Sequence, residues 1–149
     1  MKPEFEAVLV TTSAEREAIF ALRMEVFVVE QGVPAAEELD AHDMTAIHVL
    51  ARETQKPANI IATARLIPHD ENKGAIGRVA VQKDYRGRGI GALLMRFAED
   101  VAKERGMTSL ELGAQCYALP FYEKLGYVAE GEIYLDCAIE HRHMSKTLS

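Results

Sequence analysis

The sequence predicts an α/β protein of the α+β type, with a mixed, largely antiparallel central sheet flanked by helices. Three observations point to it. Strand-like runs at 47–52, 60–67 and 75–82 follow one another through short turn segments, the pattern of hairpins. The later part of the chain then alternates strand, helix, strand, helix, strand, without the regular repeat of a doubly wound sheet. The 149 residues, 48% of them hydrophobic, hold no repeat, no low-complexity tract and no dividing linker, so one domain over 1–149 is expected.

Taken in order, 5–10 reads as a first strand. Thr12-Ser13-Ala14-Glu15 has the spacing of a capping box, in which the Thr12 hydroxyl and the Glu15 carboxylate satisfy amides at a helix start. The following helix carries Ile19, Leu22, Val26 and Val29 on one stripe and stops near Gly32-Val33-Pro34. The acidic stretch 35–45 reads as a loop or a short helix. Strands at 47–52 and 60–67 are joined by the turn ETQKPAN, and PHDENKG forms the next turn. The strand at 75–82 contains Gly77, a candidate bulge. Ile90, Leu93, Leu94, Phe97 and Val101 make 90–105 the clearest helix, closed by Gly106. A strand at 109–114, a short helix at 117–125 ended by Gly126, and strands at 127–131 and 142–148 complete the chain.

Composition excludes some functions. The net charge of −6 argues against nucleic acid, whose affinity rests on many basic contacts to phosphate. No apolar run approaches the ~20 residues of a membrane span, and the acidic start does not resemble a secretory signal. Cys116 and Cys137 form no disulfide or metal pattern. A cytoplasmic protein with reduced thiols is expected.

Against this acidic background, Tyr85-Arg86-Gly87-Arg88-Gly89-Ile90-Gly91 stands between a strand and the clearest helix. A helix start presents free amides and positive potential, and glycines let a ligand approach the backbone. That is an anion site, and two arginines strengthen it with charge-assisted hydrogen bonds. The turn is therefore shaped for a phosphorylated ligand, most simply a diphosphate. No Lys-Ser or Lys-Thr follows, which excludes the P-loop. Gly87, Gly89 and Ala92 match the dinucleotide fingerprint, with Glu111 at a suitable distance. The turn is too far from its strand, Glu111 falls inside a strand, and too little chain follows to complete a parallel sheet.

The pattern Arg86-x-x-Gly89-x-Gly91 after RVAV resembles the pyrophosphate signature of the GNAT superfamily of N-acetyltransferases. The block AQCYALPFYEKLGYVAEGE resembles its later strand–helix–strand element. LRMEVFVVEQGVPAAEELDAHD and YLDCAIEHRHM are similar to the ElaA-like branch, so the resemblance covers nearly the whole chain. It implies acetyl-CoA as co-substrate, with no metal. The amides of Arg88, Gly89, Ile90, Gly91 and Ala92, after Gly87, would take the pyrophosphate, with Arg86 and Arg88 beside it. The backbone of Val79, Ala80 and Val81 would pair with the pantetheine arm, in a wedge against the strand at 109–114. A backbone amide of Val79–Val81 would serve as oxyanion donor. Tyr122 holds the family's general-acid position and, as a phenol, is protonated at neutral pH. Gln115 stands near the place where many relatives carry Asn, as a contact for pantetheine.

AIGRVAV holds no carboxylate, unlike several relatives, so the general base is unassigned, with His141 and Glu30 as candidates. Glu30, Gln31, Asp40 and Asp43 form either an acceptor-side rim for a cationic amine or a solvated acidic loop. His48 reads as a hydrogen-bonded sheet histidine or an acceptor contact. His141 and His143 share a strand face without enough partners for a metal. Cys116 near the thioester invites an acyl-enzyme, though the family transfers directly, and Cys137 reads as an ordinary thiol. The function implied is N-acetylation of a small-molecule or protein amine, and the alternative is a non-catalytic acyl-CoA binding or sensing module. A C-terminal edge strand allows a homodimer.

Overall fold

The structure, a computed structural model, describes residues 3–149. The strands are β1 (Phe5–Leu9), β2 (Ile47–Glu53), β3 (Lys56–His69), β4 (Lys73–Val81), β5 (Ser109–Gln115), β6 (Val128–Asp136) and β7 (Ile139–Thr147). The helices are α1 (Ser13–Arg23), α2 (Ala35–Glu38), α3 (Ile90–Glu104) and α4 (Leu119–Lys124). All seven strands form one sheet, ordered β1-β2-β3-β4-β5-β7-β6. Neighbours are antiparallel except β4 and β5, which run parallel. The mixed, largely antiparallel sheet is the one expected.

Local chemistry accounts for the elements. The capping box forms: the Glu15 amide donates to the Thr12 hydroxyl at 3.1 Å, and the Thr12 amide donates to the Glu15 carboxylate at 3.1 Å. α1 and the turn that continues it pack on one sheet face, where Leu22 and Val26 meet Ala80 and Phe20 lies edge-on to His48. α3 covers the other face, placing Ile90, Leu94, Met95 and Ala98 against Val49, Ala51, Ile61 and Leu66. Strand alternation separates His48 from Val49 across these two faces. Val29 departs from its expected stripe and is 77% exposed. The chain widens into a π-helical turn, Met24–Glu30, which rotates the later side chains, and Phe27 takes the inward place instead.

The acidic stretch holds a short helix, one of its two expected forms, and although much of it is exposed, Glu38 and Asp43 are buried. α2 is followed by a 3-10 turn, Ala41–Met44, capped by Asp40. Arg23 Nε donates to Glu38 Oε1 at 2.6 Å, and its Nη1 and Nη2 donate to Asp43 at 2.7 and 3.1 Å. Arg65 Nη1 reaches Asp40 Oδ1 at 2.7 Å and Asp43 Oδ1 at 3.0 Å, and Arg78 Nη2 reaches Asp40 Oδ2 at 3.3 Å. Arg23, Glu38 and Asp43 are buried, so the charges are matched within the protein rather than by water. Burial opposes ionisation of Asp43, but hydrogen bonds from Arg23, the Asp40 amide and Arg65 outweigh it and hold the carboxyl well below its usual range. Asp40 is lowered chiefly by its hydrogen bond from Arg65.

Two hairpins are tighter than the sequence suggests. β3 begins at Lys56, so most of ETQKPAN is strand. β6 runs on to Asp136 and β7 starts at Ile139, leaving only Cys137 and Ala138 as the loop. Their φ angles of 49° and 64° give the turn the mirror-image geometry that suits hairpin twist, without the usual Asn-Gly. β6 is an outer edge and exposes Val128, Ile133 and Leu135, with Glu130 and Glu132 between them. No helix among the described residues is long and apolar enough to cross a membrane.

Two outcomes follow. Asp40 and Asp43 have folded-state pKa values below those of the unfolded chain, so their stabilisation is present at neutral pH. It is lost as pH falls from about 4 toward the depressed values. Denaturant unfolding should show this decline, with a shallower slope in Asp40→Asn. Ala138→Gly removes a left-handed conformation unfavourable to a Cβ and should stabilise by about 1 kcal/mol in the same assay.

Candidate active site

The site begins with an interruption in the sheet. β4 and β5 pair over three rungs only: Lys73 with Ser109, Gly74 with Leu110 and Ala75 with Glu111. The seam is tight there, since a Cβ on Gly74 would lie 2.6 Å from the Met107 sulfur. Beyond it the strands part. On the other side of β4, Thr63 faces Ala80 and Arg65 faces Gly77, so β4 carries one residue more than β3 over this stretch. That is a bulge beside Gly77, where the sequence suggested one, and Arg78 within it has φ of 52°. A bulge bends its strand, and here β4 leaves β5 beyond Ala75.

A cleft of about 590 Å³ opens in the gap. Ile76, Gly77, Arg78 and Val79 of β4 form one wall, and Leu112, Gly113 and Gln115 of β5 form the other. Tyr122 of α4 lines it as well. The π-helical turn brings Phe27, Gln31 stands just after that turn, and α2 brings Glu37 and Glu38. The β6–β7 hairpin contributes Tyr134, Asp136, Cys137, Ile139 and His141. Tyr134 stacks on His141 with ring centroids 5.7 Å apart, and its hydroxyl lies over Gly113, where a Cβ would collide with it. Cys137 Sγ donates to Glu37 Oε2 at 2.9 Å and so ties the hairpin tip to α2. That carboxylate pushes the thiol pKa up to about 11.

α4 starts with Pro in its first turn, which suits an N-terminus, and presents Tyr122 among aromatic neighbours. Phe121 and Tyr127 pack edge-on to it at 4.9 and 6.1 Å. Burial raises the Tyr122 pKa, with Tyr117 adding to the rise, so the phenol keeps its proton at neutral pH.

The glycine turn lies at the start of α3, outside the cleft wall. Gly89 caps the helix with φ of 79°, and no side chain caps it. The amides from Arg88 to Ala92 have no hydrogen-bond partner among the described residues. A Cβ on Gly91 would lie 3.1 Å from the Phe121 ring, so the turn packs directly on the helix that bears Tyr122. Gly87 (φ 80°) lets the chain reach this turn. Arg86 points back, donating through Nε to the Val81 carbonyl at 2.9 Å and gripping Glu30 with both Nη atoms at 2.9 and 3.0 Å. Arg88 lies over the Tyr85 ring at 5.0 Å and makes no ion pair among the described residues.

The other sequence candidates divide. Val79, Gln115, Gln31 and His141 reach the cleft, and Gln115 Nε2 donates to Gln31 Oε1 at 2.8 Å. Ala80 is buried on the α1 face, and Val81 packs partly against the core. Glu30 is taken up by Arg86 and is not part of the cleft wall. Asp43 is saturated by Arg23 and Arg65 inside the ion network, which leaves it no oxygen for an acceptor. His48 is a buried sheet histidine donating from Nε2 to the Asp43 carbonyl at 3.0 Å, away from the cleft, and burial lowers its pKa. Cys116 is not part of the wall. Among the described residues no group of three or more His, Cys, Asp or Glu is placed to hold a metal ion.

Sequence reasoning missed Phe27, Glu37, Arg78, Tyr134 and Asp136. The hydrophobic alternation of EIYLD was the available signal for the last two, masked because Gly131 reads as a strand end. In the structure Gly131 falls in a register shift between Glu130 and Tyr134, so the strand continues past it.

Comparison with known proteins agrees with this architecture. Residues 16–127 match the model of the acetyltransferase (GNAT) family. The chain is 34% identical over 142 residues to YjcF of Bacillus subtilis, an uncharacterized N-acetyltransferase, covering 95% of this chain and 99% of that one. The crystal structure of an acyl-CoA N-acyltransferase from Pseudomonas aeruginosa superposes with a TM-score of 0.82 at 32% identity, over 95% of this chain and 97% of that one. Escherichia coli ElaA superposes with a TM-score of 0.82 at 27% identity, over 96% and 98%.

Proposed function

The chain belongs to the acetyltransferase (GNAT) family, and on that premise we propose that it moves the acetyl group of acetyl-CoA directly to an amine held in the cleft between β4 and β5. The observation that carries this reading is the parting of the two strands. It leaves one edge of β4 without a ladder partner beyond Ala75, beside a protonated, buried phenol. A pantetheine arm carries amide groups along its length, and an unpaired strand edge offers them the complementary donors and acceptors.

Each part of the site has a task in that reaction. The free amides from Arg88 to Ala92 suit the diphosphate, with the helix dipole behind them. Arg88, which has no carboxylate partner, supplies the nearer mobile charge, while Arg86 is held by Glu30 and braces the turn. Gln115 stands at the end of β5, where it meets amide groups of the arm. The attacking nitrogen adds to the thioester carbonyl, and the Val79 amide stabilises the oxygen as charge develops there. The C–S bond then breaks, and Tyr122 gives its proton or a strong hydrogen bond to the departing sulfur.

The carboxylates in the lining set the acceptor. Glu37 and Asp136 stand in the cleft wall with Gln31 and attract a cationic amine, which gives one proton to solvent before its nitrogen attacks. A small amine or an exposed amine of a protein both fit this chemistry.

Incubation with acetyl-CoA and a panel of amines, following thiol release, tests the reading. Turnover with at least one amine is expected. Arg88→Ala should raise the Kd for CoA by about tenfold, the loss of one charge-assisted contact near solvent. Tyr122→Phe should lower kcat by about a hundredfold with little change in CoA affinity. Thermal stabilisation by acetyl-CoA with no thiol release from any amine, or Tyr122→Phe turning over at the parental rate, would overturn it.

A further inference from the structure

The geometry points to His141 as the general base that removes the proton from the attacking amine. The inference rests on the acetyl-transfer reading of the same cleft and adds the group which that reading leaves unassigned. β7 brings His141 into the cleft opposite Gln115 of β5, its register partner. Its Nδ1 lies 2.7 Å from the Ile139 carbonyl oxygen. A carbonyl can only accept, so Nδ1 carries the hydrogen and the neutral ring keeps its lone pair on Nε2. Nε2 has no hydrogen-bond partner among the described residues. The ring is fixed from the side by Tyr134, stacked at 5.7 Å and 23°.

Other groups facing the cleft are less suited. Glu38 is buried and bound to Arg23, and Glu37 already accepts the Cys137 thiol hydrogen. Arg78 of β4 has no lone pair to offer. Tyr122 and Tyr134 have raised pKa values, as does Cys137, so each holds its proton at neutral pH. Tyr117 of the 3-10 turn after β5 faces the same space. Asp136 of β6 is exposed and, among the described residues lining the cleft, is the one remaining carboxylate to set against His141.

The step balances without a further reagent. The ammonium acceptor first gives one proton to solvent; the lone pair of the neutral amine then forms the N–C bond, the C–S pair leaves on sulfur, and the second proton lost by nitrogen passes to His141 Nε2. Tyr122 protonates the sulfur. Solvent then takes the proton from His141 and restores the one on Tyr122.

The test is the pH dependence of kcat/KM for an amine that the parent protein acetylates, in the parent, His141→Gln and Asp136→Asn. His141→Gln should lose about a hundredfold in kcat, keep its Kd for CoA, and lose the acid limb of the profile. Imidazole added to His141→Gly should restore part of the rate. Asp136→Asn should raise KM for the amine and retain the limb. If His141→Gln keeps the parental limb and kcat, or if the limb disappears with Asp136 instead, the assignment is overturned while acetyl transfer stands. If the parent protein releases no thiol with any amine, the acetyl-transfer reading itself fails, and this assignment with it.

Discussion

The parting of β4 from β5 is the constraint on which the rest of the molecule is arranged. Three parallel rungs hold the two halves of the sheet together, and one extra residue on β4 then bends that strand away. An unpaired strand edge is tolerable only where water or a ligand can reach it, so the cleft and the irregular pairing are one feature. Arg78 sits at the bend with a left-handed backbone, which costs about 1–3 kcal/mol. Its guanidinium is held by the carbonyls of Glu38 and Glu37 at 3.1 and 3.3 Å, which fixes the residue in that conformation.

The buried ion network belongs to the same construction. Arg23 on α1, Arg65 on β3 and Arg78 on β4 converge on Glu38, Asp40 and Asp43, binding α2 and the 3-10 turn to the sheet. Such a cluster adds little net stability over apolar packing, but breaking one member leaves its partners charged and dry. Its consequence is geometric: α2 is held where Glu37 can face the cleft and meet the tip of the β6–β7 hairpin.

Much of the fold was legible in the sequence because it rests on local signals. The capping box, the apolar stripe of α3 and the order of hairpins and crossovers all have short-range signatures. The glycine turn was legible for the same reason, since free amides at a helix start follow from the residues themselves. The acidic stretch was not. Charged residues carry no mark of burial, and Asp43 looks like a solvent-facing acid until Arg23 and Arg65 are brought to it from 20 and 22 residues away. The hairpin wall of the cleft was hidden by two glycine conventions that fail here: Gly131 marks a bulge rather than an end, and the turn at Cys137-Ala138 uses no glycine. His141 was visible as a candidate, while the carbonyl that selects its tautomer was not.

The outermost strand, β6, has a different consequence. It leaves a row of open backbone groups bordered by Val128, Ile133 and Leu135, the composition that recruits a further strand from another molecule. Glu130 and Glu132, together with the local register shift, interrupt that row. Colloidal behaviour at high concentration therefore depends on a pair of carboxylates remote from any chemistry. A chain neutralised at both would leave that margin without its charged guards, open to pairing with the same margin of a second copy.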